Sequence, residues 1–135
     1  MLDAFLVPAK TVVTAKGDSE ALDVRGAAHP VFLLTLSITA IVEQEAIEVS
    51  LFTSADGATW ETKPVVTLPQ KFYVGEYPLL VDLSSLANAN FVRTHWEVNR
   101  WGRGPTTPSF EIALRLREVS QAALQEAQAE ANSRR

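Results

Sequence analysis

The chain has 135 residues, is 47% hydrophobic and 21% charged, and carries a formal net charge of −4 at pH 7. That is enough for one soluble domain able to bury about two thirds of its unfolded surface. The absence of cysteine excludes disulfides, thiolate metal sites and thiol nucleophiles, and the acidic balance argues against general nucleic-acid binding.

Asp3 interrupts the start of the chain, and Lys10 follows an apolar piece too short for a signal core, so no secretory signal is expected. From Ala4 to Ala15 the residues read as an irregular strand with Phe5, Val7 and Ala9 on one parity. Pro8 cannot donate to a ladder and places this strand at a sheet edge or a bulge. Gly17-Asp18-Ser19 reads as a turn, Ala21 to Val24 as a short strand, and Gly26 to Pro30 as a break.

The stretch from Val31 to Trp60 has the strongest periodicity. Phe32, Leu34, Leu36, Ile38, Ala40 and Val42 alternate with Leu33, Thr35, Ser37, Thr39 and Ile41, the pattern of a strand with one face in a core. The largely apolar run is too short to cross a bilayer. After Glu43-Gln44-Glu45 the period resumes with Ile47, Val49 and Leu51 against Glu48, Ser50 and Ser54. This predicts a β-hairpin, and Asp56-Gly57 supplies a further tight turn.

Lys63 to Leu68 reads as a strand that Pro69 ends, Phe72 to Pro78 as aromatic and turn-rich, and Leu79 to Leu83 as another strand. In Phe91 to Asn99, Val92, Thr94, Trp96 and Val98 oppose Arg93, His95, Glu97 and Asn99. A Gly- and Pro-containing loop runs from Arg100 to Pro108. The last strand sets Phe110, Ile112, Leu114 and Leu116 against Glu111, Arg115 and Arg117. Short strands parted by turn residues are the pattern of an all-β, antiparallel sandwich of jelly-roll type.

From Ser120 the composition shifts to Ala, Gln and Glu, which predicts a short C-terminal α-helix capped by Ser120 and stapled by Val119 and Leu124. About fifteen such residues are marginal as an isolated helix, so this tail is expected to dock on the domain or on a neighbouring copy. The expected division is a sandwich over 1–118 and a helical tail over 119–135.

Candidate chemistry is sparse. His29 precedes Pro30 in a loop, and His95 lies on the outer face of a strand. Ser54, His95 and Asp82 make a triad only on paper, because nothing like a nucleophile elbow surrounds the serine. Glu43, Glu45 and Glu48 would attract a cation if Glu43 and Glu45 share a strand face; the plainer reading is a solvated turn guarding a sheet edge. No glycine loop cradles phosphate. The chain is therefore expected to be non-enzymatic, with no cofactor and no metal.

Trp60, Tyr73, Tyr77, Arg100, Trp101 and Arg103 fall in or beside turns and form the candidate binding surface. Such residues suit a glycan or a protein hot spot equally; the plainer alternative packs Trp60 against the end of the sandwich and Trp101 under its own loop. Arg93, Arg115 and Arg117 would meet only if the Phe91 and Phe110 strands pair, and would then grip phosphates. A mixed charged face is the alternative favoured by the overall acidity.

Two motifs carry a resemblance. Ser54-Ala55-Asp56-Gly57-Ala58-Thr59-Trp60 resembles the S-x-D-G-x-x-W turn of discoidin-like and other galactose-binding-type jelly rolls, and Phe91-Val92-Arg93 resembles the aromatic-V-R start of a late strand there. Over about Val31 to Leu116, the order of that turn, FVRTHWEV, a Gly-rich loop and Pro108-Ser109-Phe110 is similar to small β-sandwich proteins of tailed bacteriophages. The resemblance implies a virion or assembly component, in the virion or host cytoplasm, whose partners are copies of itself or capsid and tail proteins. A glycan is the alternative partner, with no membrane and no nucleic acid. The Ala/Gln-rich C-terminal segment departs from the pattern.

Overall fold

A computed structural model of the chain describes residues 2–41, 45–86, 88–100 and 109–119, with the backbone alone at Arg100. The strands are β1 (Asp3–Val13), β2 (Gly17–Asp18), β3 (Leu22–Asp23), β4 (Val31–Ile41), β5 (Glu45–Ser54), β6 (Val66–Lys71), β7 (Gly75–Asp82), β8 (Phe91–Arg100) and β9 (Phe110–Glu118). No helix occurs among the described residues, and so none is long and apolar enough to cross a membrane. The expected C-terminal helix, with Leu124, lies outside the described residues. Val119 is described: its amide donates to the Val31 carbonyl at 2.9 Å.

The strands form two antiparallel sheets. One has the order β1-β9-β4-β7; the other has the order β2-β8-β5-β6, with β3 also paired to β8. Phe32, Leu34, Leu36, Ile38, Phe110, Ile112, Leu114 and Leu116 from the first sheet share one core with Ile47, Val49, Leu51, Leu68 and Val92 from the second. These inward rows are the apolar rows read from the alternation. Burying each large side chain contributes about 1.5–3 kcal/mol, and the outward rows mix Thr35, Ser37 and Thr39 with scattered apolar residues such as Leu33 and Leu80, because only one face of each sheet meets the core.

The expected β4–β5 hairpin does not form. β4 pairs with β7 and β9, whereas β5 pairs with β6 and β8. Period-two alternation reports which face of a strand is apolar, not which strand lies beside it. Crossing from one sheet to the other sets the rows of β4 and β5 face to face, where each covers the other. Side by side, both rows would need a cover from elsewhere.

Four further expectations change. β1 is an edge strand with register shifts around Pro8, as the proline requires. Those bulges break its parity: Leu6 and Val7 are buried, whereas Phe5 and Ala9 are exposed. Pro69 lies inside β6 and does not end it, because β6 is also an edge strand and shifts register between its pairings to Val49 and Ile47. Gly17-Asp18 pairs with Trp96 and His95 as a short strand, and β7 starts at Gly75 within the stretch read as turn.

Candidate functional site

The Ser54–Trp60 turn builds the site from local chemistry. Ser54 Oγ accepts the Gly57 amide at 2.9 Å and donates to the Thr59 carbonyl at 2.6 Å. Asp56 Oδ1 accepts the amides of Ala58 and Thr59 at 2.9 and 2.8 Å. Those amides, Thr59 first, hold the Asp56 carboxyl below its usual range. Gly57 turns the chain at φ 79°, where a side chain is strained. The turn thus brings Trp60 back to bridge Ser54.

This placement takes Trp60 out of the core cluster and onto the solvent side of the five-stranded sheet, which corrects the reading that it closes the sandwich. Alternation along β8 sends Arg93, His95 and Glu97 to the same side. The β5 register sets Phe52 opposite Arg93, Ser50 opposite His95 and Glu48 opposite Glu97. β2 adds Asp18 opposite His95 from the other flank.

The result is a compact cluster around a recess of about 300 Å³ lined by Asp18, Phe52, Trp60, Glu61, Arg93 and His95. The Arg93 guanidinium carbon stands 4.5 Å from the Trp60 ring centroid, a cation–π stack. Its buried Nε has no hydrogen-bond partner among the described residues, and Asp18 Oδ1 stands 3.9 Å away. His95 is held at both ring nitrogens: Nδ1 is 2.9 Å from Asp18 Oδ1 and Nε2 is 2.9 Å from Glu97 Oε1. The Glu97 carboxylate first, and Asp18 after it, raise the His95 pKa above its ordinary value against partial desolvation. The Phe52 ring meets the imidazole edge-on at 6.4 Å.

The other candidate residues do not join this cluster. Tyr73 is exposed in the β6–β7 connection. Tyr77 belongs to the four-stranded sheet, packs partly against the core and donates its hydroxyl to the Tyr73 carbonyl at 2.6 Å. The Lys71 ammonium sits 5.0 Å from the Tyr77 ring centroid. The backbone of Arg100 pairs with Glu45; Trp101 and Arg103 lie outside the described residues. Arg93 is separated from Arg115 and Arg117, because β8 and β9 belong to different sheets. The phosphate grip built from those three does not assemble. Arg115 instead pairs with Asp3, its Nε 2.7 Å from Oδ1.

The paper triad also dissolves. Ser54 is the hub of its turn, Asp82 caps the Ser84 amide from the other sheet, and His95 is engaged by Asp18 and Glu97. Glu43 lies outside the described residues. Glu45 is not part of a solvated turn: it is buried, and both its oxygens accept the Ser109 amide, at 3.1 and 2.9 Å. Among the described residues no group of three His, Cys, Asp or Glu side chains is arranged to hold a metal ion.

The outer-face position of His95 was legible in the sequence, whereas its carboxylate clamp and the Arg93 stack on Trp60 were not. The spacing of Arg93, His95 and Glu97 on one strand face was the available signal; Asp18 had none, since its strand is two residues long. A second concavity, about 540 Å³, crosses the outside of the four-stranded sheet over Thr35, Ser37 and Ala113, with Lys10, Glu76 and Arg117 among its walls.

The described residues define an all-β body of two antiparallel sheets with a Trp–Arg–His–carboxylate cluster on one outer face. Comparison with protein families, with curated proteins and with solved structures found no match.

Proposed function

We propose that the protein is a non-enzymatic, multi-copy assembly component, of the kind that builds or decorates a phage-like particle, and that it works through protein–protein contacts. The observation that carries this reading is the Trp60–Arg93 stack outside the core, on the solvent face of a sheet. Trp and Arg dominate interface hot spots because a broad ring and a delocalised cation bury large area at little cost in order.

The strand order supports it. From β3 to β9 every connection but β5–β6 crosses from one sheet to the other, in the orders β1-β9-β4-β7 and β2-β8-β5-β6, which is how a jelly roll winds, an architecture used by capsid and lectin domains alike. The exposed Phe72, Tyr73 and Val74 at the β6–β7 connection add apolar surface that a neighbouring subunit would cover.

Sedimentation velocity over a concentration series tests the reading. The native chain self-associates or joins a particle protein, and Trp60→Ala weakens that association while leaving the fold intact. A strict monomer with no particle partner, unchanged by Trp60→Ala, overturns it.

A second reading rests on the recess itself, where Arg93 offers donors and Asp18 and Glu61 offer acceptors beside an aromatic ring, the composition of a saccharide site. Tyr73 and Tyr77 do not extend that ring into a groove, since they are set on the other sheet and its connection. Binding to a glycan array that Trp60→Ala abolishes is the result that would favour this reading.

A further inference from the structure

The concavity of about 540 Å³ lies outside the four-stranded sheet, whereas the Trp60 recess lies on the other sheet. Its floor is made of small residues: Thr35 and Ser37 on β4, with Ser37 directly opposite Ala113 on β9. Longer side chains wall it on both flanks, Phe5 and Lys10 from β1 and Glu76 from β7. A trough results, because the two central strands carry short side chains between edge strands that carry long ones.

Most of its polar groups have no partner within the chain. The Thr35 and Ser37 hydroxyls, the Lys10 ammonium, the Glu76 carboxylate and the Arg117 guanidinium make no hydrogen bond or ion pair among the described residues. Asp3 is taken up by Arg115, and Glu111 accepts the Thr39 hydroxyl at 2.7 Å. Lys10 and Arg117 therefore face one uncommitted carboxylate, Glu76. The Arg115 guanidinium carbon stands 5.9 Å from the Phe5 ring centroid, and that ring is 54% exposed. Lys10 is held at φ 62°, in the left-handed region. Such strain collects at sites of function, and here it holds an unpartnered ammonium on the rim of the trough.

We propose that this trough binds a saccharide that carries a carboxylate. The ligand follows from the lining. β9 and β4 are paired on both sides, so no main-chain edge is open in the trough for an extended peptide. One aromatic ring on a chain of net charge −4 is poor footing for nucleic acid. Free hydroxyls, a free carboxylate and an exposed ring suit a ligand with its own hydroxyls and an apolar ring face. Lys10 and Arg117 exceed Glu76 by one charge, and a carboxylate on the sugar offsets that excess through charge-assisted hydrogen bonds.

The experiment screens the native chain on an array of neutral glycans and glycans bearing uronic or sialic acid. Hits are then titrated by calorimetry beside their methyl esters, with Lys10→Gly, Arg117→Gln and Trp60→Ala. The native chain is expected to bind an acidic glycan. Methyl esterification, Lys10→Gly and Arg117→Gln each weaken binding about tenfold, the loss of one charged hydrogen bond. Trp60→Ala leaves it unchanged. Lys10→Gly relieves backbone strain, so weaker binding in that variant is not a failure to fold. An array with no acidic hit, a hit indifferent to esterification, or native affinity in both Lys10→Gly and Arg117→Gln overturns the proposal. So does binding that Trp60→Ala abolishes and Lys10→Gly keeps, which puts the sugar in the recess instead. The assembly reading stands or falls separately, on sedimentation of the same samples.

Discussion

Glu118 accepts the amide of Leu2 at 3.0 Å, so the last residue of β9 grips the start of the chain. The same oxygen accepts the Ala28 amide at 3.3 Å, and the Glu118 amide donates to the Leu2 carbonyl at 2.8 Å. Glu118 is buried, and these contacts close the edge strand onto its partner and pin the loop before β4. The Leu2 amide first, and then that of Ala28, hold its carboxyl below the ordinary value of 4.5. A carboxyl lowered by folding stabilises the native state above its unfolded pKa, and that contribution fades as pH falls through the folded one. Acidification below 4.5 is therefore expected to loosen β1 and the Ala28 segment before the core opens. Amide protection of Leu2 and Ala28 by NMR checks this, and Glu118→Gln should reproduce the loosening at neutral pH. Protection that persists to global unfolding would show that the grip is dispensable.

The turn that delivers Trp60 depends on two small residues. Gly57→Ala places a Cβ at φ 79° and 3.4 Å from the Phe91 ring, which is expected to cost about 1–2 kcal/mol. Ser54→Ala strands the Gly57 amide and the Thr59 carbonyl, at about 1–3 kcal/mol. Urea midpoints measure both. Trp60 fluorescence should also shift, because the ring no longer returns beneath Arg93.

Lys10 has φ 62° in the bulge after Pro8, a conformation that costs a side-chain-bearing residue about 1–2 kcal/mol. Lys10→Gly is expected to raise stability, by about 0.5–1 kcal/mol after the entropy that glycine gains in the unfolded chain. Thermal unfolding decides the sign. A loss of stability would mean that the Lys10 side chain contributes more than the strain it carries.

Parity can be tested by a matched pair. Leu36 is fully buried on β4, and Leu36→Ala is expected to lose about 2–5 kcal/mol. Leu80 on β7 is 43% exposed, and Leu80→Ala should stay within about 0.5 kcal/mol. Equal losses would contradict the assignment of faces.

The apolar rows of β4, β5, β8 and β9 were legible in the sequence because side-chain direction alternates with every residue, a purely local rule. The edge character of β1 was legible from Pro8 alone. So was the Ser54–Trp60 turn, in which each residue type answers a backbone need within six positions. The face of Phe5 was not, because the bulges that reset it are set by register against β9. Glu45 read as part of a solvated turn, yet it is buried on the Ser109 amide, supplied from far away in the chain.

The sequence by itself determined that the body of the protein over its described residues is all-β, which side of each main strand is apolar, and that Arg93, His95 and Glu97 share a face. Tertiary structure alone decided that β4 and β5 part into different sheets, that Trp60 lies outside the core beneath Arg93, and that Asp18 reaches His95. The physical reason is range. Alternation and turn chemistry act between neighbours along the chain. Strand partners are chosen by burying both sheets' apolar faces against each other at once, and no single stretch carries that choice.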